Sequence, residues 1–551
     1  MHSNPFAIAT VSIFSMLFPL GAVAADEGEN PVAVNDSLPV RNHEGMFTTR
    51  TALDTLDVLL IDISLNDNEW PPAELVYPPE GCLGTSITGN EYVKGSMKIS
   101  RKGEVLYESG EYDKDAKTGM RLKRRGNGSN TLDKPGYKIK LNKKKDLLFR
   151  KEAEPQQPGE TDLSGRHDYY VDADKKDKEW LLLGTVAAAN RSRFHTSWEI
   201  GRILNTKWEP RCEYANVIIN GTYCGIFIIA EGVEDSEGRV NISESGFIIE
   251  NDAYFWKPDE PYFKTEYSHS QFGYTFKAPD LEDFPEAFDR VKAYMEKADE
   301  AVHTNVNVAD YIDYTSFAKW VIARDLHGMN DAGGGNMFLV KNDLDSLNPT
   351  ASKLQMGPLW DFDGIYISAP NEWSRVHTYS GFYYKWLFEN RDFVKEYISQ
   401  WEWVKDRVLD GVISFTERLL AENPDINAAR EIEREFFPHL FHTIEQDCQD
   451  AVDWYTERVP ALDALVEQLK VATGVDLVPD SFEGMTISSA NGIITVNGLQ
   501  GGEKISLFDL SGKVMSETSC NANTVNLDRP SGSVVLVRIA KDSASKTFKV
   551  I

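Results

Sequence analysis

The sequence predicts an α+β chain: a sheet-rich first part, a helix-rich second part and a small all-β unit at the C-terminus. Three observations lead there. From about residue 58 to residue 280, short β-branched and aromatic runs are broken by Gly, Asn, Asp and Pro, the punctuation of strands and turns. After residue 280 the apolar period lengthens: Phe284, Phe288, Val291, Met295, Ala298 and Val302 recur at alternating spacings of four and three, which puts them on one helix face. From about residue 486 strand-like text returns. At 551 residues the chain exceeds one ordinary core, so more than one unit is expected.

Taken in order, Phe6 to Leu20 is an apolar run ending in the small-x-small triplet Ala22-Val23-Ala24, so residues 1–24 read as a signal peptide. The run is too short, and Asp26-Glu27-Gly28-Glu29 too polar, for a membrane anchor; no transmembrane anchor is expected after cleavage. Residues 25–52 are polar and aperiodic, a flexible leader. The main domain is expected over residues 53–480, its folded text starting near Val58-Leu59-Leu60-Ile61. Val217-Ile218-Ile219, Asn220-Gly221 and Ile226-Phe227-Ile228-Ile229 spell a hairpin. Helices are expected over residues 310–327, 392–409 and 449–470. Residues 486–551 read as a β-sandwich-like module, with strands at Gly492 to Val496, Ile505 to Phe508, Val534 to Val537 and Thr547 to Ile551.

The formal charge of -28 argues against a nucleic-acid or anionic-membrane binder, because such a surface repels phosphate backbones and acidic lipid. Five scattered cysteines lack metal-type spacing, which removes a zinc framework; Cys212 and Cys224 flank the hairpin and read as two buried thiols in preference to a disulfide. No Ser-His-Asp, Cys-His or HExxH arrangement supports a hydrolase.

The chemistry-bearing text is Asn330-Asp331-Ala332-Gly333-Gly334-Gly335-Asn336, followed by Trp360-Asp361-Phe362-Asp363-Gly364. Phosphoryl transfer needs a carboxylate near the acceptor hydroxyl and oxygen ligands for magnesium, and kinases place that Asp and an Asn five residues apart, with a metal-binding Asp later. Asp331 and Asn336 have that spacing. The plainer alternative is a glycine surface loop and a turn capped by Asp361 and Asp363. Asp325 and Asn330 show the same spacing, but Phe317, Trp320, Val321 and Arg324 carry a helix through that stretch, so Asp325 is expected on regular helix and His327 as a helix-end or packing residue. A basic segment stands out in so acidic a chain: Lys123-Arg124-Arg125-Gly126-Asn127-Gly128-Ser129, then Lys134 to Leu141. Its glycine turn and cations suit phosphate oxygens; Lys138 and Lys140 share one strand face, where a solvated edge is the competing reading.

The ordered set Arg125-Gly126-Asn127, Lys134 to Leu141, Trp180 to Leu183 with Arg193, Asn220 to Gly225 with Glu231, Phe247 to Glu250, Lys277-Ala278-Pro279, Asn330-Asp331, Asn336 and Trp360 to Asp363 resembles the spore-coat protein H (CotH) family of atypical protein kinases, over roughly residues 120–365. The resemblance implies a kinase-like central domain. In it, Asp331 would be the catalytic carboxylate, and Asn336 and Asp361 would hold magnesium, with Asp363 in reserve. Lys134 or Lys140 would meet the ATP phosphates, aided by Arg125, and Glu231 or Glu250 would orient the lysine. A full G-x-G-x-x-G before the lysine is missing. The tail's Ser506 to Val514 and Lys546 to Val550 resemble the sorting domains of the type IX secretion route, which implies a secreted or surface location in a Gram-negative cell.

The resulting expectation is an exported, magnesium-dependent kinase that moves the ATP γ-phosphoryl group to Ser or Thr of a surface or envelope protein, or of itself. The alternative is a non-catalytic surface-binding or structural protein on a kinase-like scaffold. Calcium held by Asp361 and Asp363 is a third idea, with too few carboxylates for a protein-only site.

Overall fold

The computed structural model describes residues 46–551 except 83, 85, 89–90, 128, 130–133, 150–174, 185–189, 258–260, 330–335, 344–351, 363, 367–368, 475–484, 491, 510–512, 521, 530–533, 542–543 and 551. The expected signal peptide, most of the leader, Asp331 and Asp363 therefore lie outside the described residues. The end of the expected leader is helical instead: Met46–Leu53 forms a helix, Leu53 packs with Leu60, Ile218 and Tyr223, and Arg50 pairs with Asp62. Two of its apolar contacts, Ile218 and Tyr223, lie on strands far along the chain, which no local period reports.

The sheet-rich part is built on an eight-stranded sheet that closes on itself. In spatial order its strands are Leu59–Leu65, Cys212–Ile219, Thr222–Glu231, Asp177–Gly184, Gly136–Lys145, Met120–Arg125 and Val93–Arg101, with Glu104–Glu108 outside; Leu59–Leu65 pairs on its other side with Val93–Arg101. One edge of the ring is parallel, Leu59 facing Ala215, and the rest is antiparallel. Closure leaves the ring without a free edge. Alternate residues fill the interior: Ile61, Ile63, Met97, Ile99, Leu122, Ile139, Trp180, Leu182, Val217 and Phe227 form one cluster. The expected hairpin is present; Asn220 and Gly221 both have positive φ, the conformation a two-residue turn of this hand requires.

A second, five-stranded sheet runs in the order Tyr262–Phe263, Gly273–Ala278, Phe247–Asp252, Met337–Lys341, Gln355–Met356. It shares a core with the helices Arg193–Ile203, Ala287–Thr304, Tyr314–His327, Arg391–Glu422 and Ile444–Thr473. The stripe after residue 280 is helical from Ala287, whereas Phe284 lies before the helix and is exposed. Tyr314–His327 starts on Asp313, whose carboxylate accepts the Ser316 N–H, and stops at Gly328 with φ 57°. Arg391–Glu422 is capped by Asn390 and Ile444–Thr473 by a Thr443/Gln446 capping box. Arg193–Ile203 is a helix in text that reads as strands; its burial on nearly every face hides the helical period.

At the C-terminus, Thr486–Ala490, Ile493–Asn497 and Thr524–Asp528 make one sheet, and Val514–Ser519, Lys504–Phe508, Val535–Lys541 and Ala544–Val550 another. Ile494, Val496 and Leu527 from the first meet Ile505, Leu507, Val537 and Ile539 from the second in one core, a sandwich-like arrangement. All five cysteines are free; Cys212 is buried but Cys224 only half-buried, so the expectation of two buried thiols holds for the first alone.

Candidate active site

The second sheet brings separate stretches of sequence together at one place. Glu250 lies on its middle strand and accepts the Asn336 N–H at 3.0 Å, just before the neighbouring strand Met337–Lys341 begins. The pairing of Phe247–Asp252 with Gly273–Ala278 slips between Ile248 and Ile249, which face Ala278 and Phe276; Lys277 is the extra residue. Such a bulge re-aims a side chain. Here the Lys277 ammonium lies 3.1 Å from the Glu250 carboxylate. Asp361 follows the edge strand by a short turn, and Asn336 Nδ2 donates to its Oδ2 at 2.9 Å.

Both Asn336 and Asp361 adopt left-handed backbone, φ 60° and 59°. Asn and Asp tolerate that conformation better than other non-glycine residues, though not without cost. The barrel contributes Arg125 from the end of Met120–Arg125. Its guanidinium lies over the Trp360 ring, 5.9 Å from the centroid. Burial lowers the Arg125 pKa, and Asp361 and then Glu250 act in the opposite direction, so the cation faces both carboxylates.

The donor set suits magnesium. Asn336 and Asp361 come from different loops and lie within hydrogen-bond distance of each other, with Asn336 Nδ2 turned to the carboxylate, so exchanging the amide's nitrogen and oxygen would offer two hard oxygens to one ion. Magnesium takes few protein oxygens and keeps waters, as such a pair allows.

Other expected site residues lie in different surroundings. Lys134, whose side chain is 0% exposed, donates to Glu433 Oε1 at 2.6 Å and to the Ile226 carbonyl. Arg191 pairs with the other Glu433 oxygen, and despite its burial Glu433 is kept below the usual carboxylate range by these two cations. Lys134 is thus committed to a buried ion pair, whereas Lys277 stands at Glu250. Lys140 pairs with Glu179 at 2.5 Å; Lys138 pairs with Glu179 and with Glu234 at 2.9 Å. Both lysines do share one face, answered by acids on that face. Glu231 receives Arg211, Nη2 to Oε1 2.7 Å and Nε to Oε1 3.0 Å; Glu250 is the acid of the two that pairs with a lysine, Lys277. Of the residues described, the structure therefore gathers Arg125, Glu250, Asn336 and Asp361, with Lys277 added.

Asp325 does sit on regular helix. It is buried and accepts from the Ser374 N–H at 3.1 Å, from Tyr397 OH at 2.8 Å and from His377. His327 is buried with its Nδ1 2.5 Å from Tyr455 OH, and burial, then Arg324, pushes its pKa down to about 3, so it packs as a neutral ring.

Lys277 carries no phosphate-binding motif of its own in the sequence. Its distance from the glycine turn hides it, since only the bulge and the pairing of distant strands bring it to Glu250. The one available signal was the basic residue in Lys277-Ala278-Pro279, directly after an aromatic strand. No curated protein matches the chain. A family model described as CotH kinase protein matches residues 122–457, more than half of the sequence and every residue of this site.

Proposed function

Because the chain belongs to the CotH kinase family, we propose that it is an exported, magnesium-dependent kinase transferring the γ-phosphoryl group of ATP to Ser or Thr of a surface or envelope protein, or of itself. The observation that carries this reading is the convergence of Arg125, Lys277, Glu250, Asn336 and Asp361 at one place, two cations and the oxygen donors for a metal. Lys277, oriented by Glu250, and Arg125 bind phosphate oxygens and answer the charge that spreads over them as the bond to the leaving oxygen breaks. Asn336 and Asp361, with Asp363 in reserve, would hold the magnesium, which would supply positive charge against that of the phosphates. Asp331 orients the acceptor hydroxyl and takes its proton as the new O–P bond forms and ADP departs. Signal peptide and C-terminal module support export; ATP is scarce outside cells, so the reading places transfer before or during export.

The test is magnesium-dependent ATP binding and autophosphorylation of the mature chain beside Asp331→Ala and Asp361→Ala. Asp331→Ala should abolish transfer while binding persists, and Asp361→Ala should weaken magnesium-dependent binding. A folded wild-type chain that binds no ATP would sink the kinase reading and leave a surface-interaction protein.

A further inference from the structure

The stretch that carries Asp361 leaves the second sheet at Gly357, whose N–H still donates to the Phe338 carbonyl at 2.7 Å. Pro358 has no N–H to offer. At Leu359 both backbone polar groups are taken by side chains from one other region. Trp198, on the helix Arg193–Ile203, donates its Nε1–H to the Leu359 carbonyl at 2.7 Å; Glu209, in the loop after that helix, accepts the Leu359 N–H at 3.0 Å on Oε2. Both side chains are buried.

The Glu209 carboxyl is set tightly. Thr206 Oγ1 donates to its Oε1 at 2.9 Å, and it presses on Gly201, where an added Cβ would collide with it. Trp198 also packs on Trp360, ring centroids 6.4 Å apart, and Trp360 lies under Arg125. A buried carboxyl is costly unless bonded, and here its partner is the backbone two residues before the metal-binding Asp361.

We propose that Glu209 and Trp198 form a clamp on Leu359 that positions Trp360 and Asp361, and with them the Arg125 and magnesium sites. The clamp rests on the kinase reading for its consequence in catalysis and on geometry alone for its effect on the backbone. Burial raises the Glu209 pKa to about 8, opposed by Thr206, Arg202 and the Leu359 N–H, so little is lost electrostatically when an uncharged amide, which keeps one oxygen acceptor, replaces it.

The experiment compares full-chain Glu209→Gln, Glu209→Met and Gly201→Ala by hydrogen exchange and by magnesium titration of ATP binding. Glu209→Gln, which keeps an acceptor for Leu359, should stay within about twofold of wild type in both. Glu209→Met and Gly201→Ala should speed exchange over residues 357–362 by about tenfold or more, with the helix Arg391–Glu422 unchanged, and raise half-saturating magnesium about tenfold. Exchange over residues 357–362 in Glu209→Met equal to wild type, or acceleration spread evenly over the chain, would overturn the clamp. If wild type binds no magnesium–ATP, the kinase reading falls and the clamp is judged on exchange alone; local acceleration with unchanged half-saturating magnesium would overturn its positioning role.

Discussion

Replacing Lys134 by Met separates a buried structural cation from a phosphate ligand. The Lys134 ammonium meets Glu433 at 2.6 Å and the Ile226 carbonyl, with both side chains at 0% exposure. Met keeps much of the stem and removes the charge. Removing one partner of a buried pair costs about 3–5 kcal/mol, and because Arg191 still answers Glu433 the loss should fall near the lower end, about 3 kcal/mol. Urea unfolding followed by tryptophan emission is the assay, since residues 486–551 contain no Trp and the signal reports the remainder of the chain. Lys140→Met is the control: that side chain is 35% exposed, and its pair with Glu179 is worth about 0–1 kcal/mol. Where the Lys134 variant is folded, its ATP affinity should stay within about twofold of wild type. An unchanged unfolding midpoint together with a tenfold loss of ATP affinity would refute the reasoning and return Lys134 to the phosphates.

Lys277→Met should weaken ATP binding by about tenfold or more in calorimetry while changing stability by no more than about 1 kcal/mol, because its pair with Glu250 is partly exposed. Asn336→Gly relaxes a left-handed residue worth roughly 1 kcal/mol but frees the unfolded chain by a similar amount, so the unfolding midpoint should barely move while half-saturating magnesium rises about tenfold; equal magnesium dependence would remove Asn336 from the metal site. Asp299 accepts from Tyr274 OH at 3.0 Å and from Thr265 and Tyr383, yet burial raises its pKa from 3.8 to about 6. The folded state then holds a proton that the unfolded state has released between those pH values, so this group makes stability fall as pH rises through that window, by at most about 3 kcal/mol. Asp299→Asn should lack that component, and parallel stability–pH curves from pH 4 to 6.5 would contradict it.

What was legible in the sequence was local. Asn220-Gly221 between β-branched runs gave the hairpin, and the four-three spacing from Val291 to Val302 gave a helix, because turn chemistry and apolar period act over a few residues. The same helical logic set Asp325 apart from Asp331. Barrel closure was not legible: it depends on Leu59–Leu65 pairing with two strands, one of them about 150 residues away, and alternation shows only that a face is buried. The site divides the same way. Asn336 and Asp361, which the structure brings together, are picked out by spacing, whereas the place of Lys277 depends on a bulge and that of Lys134 on Glu433, 299 residues on. A lysine beside a glycine turn looks alike in sequence whether it meets phosphate or a buried carboxylate.

The charge arrangement bears on how ligands would enter this site. Arg125 reaches Asp361 and Glu250 from the barrel, while Lys277 is held by Glu250 on the second sheet, so each cation is already answered by an acid. ATP alone would bring phosphate oxygens to Asp361, a like-charge contact. On the proposed reading, magnesium held by Asp361 and Asn336 would reverse that sign while Arg125 and Lys277 met the phosphates, so metal and nucleotide would bind better together than either does alone. The left-handed backbone at Asn336 and Asp361 fits the same account. A conformation that costs about 1–3 kcal/mol persists only where its surroundings impose it, and here Glu250 fixes the Asn336 N–H while Trp198 and Glu209 fix Leu359. On the proposed reading, the two residues that would hold magnesium are thus positioned by the fold itself.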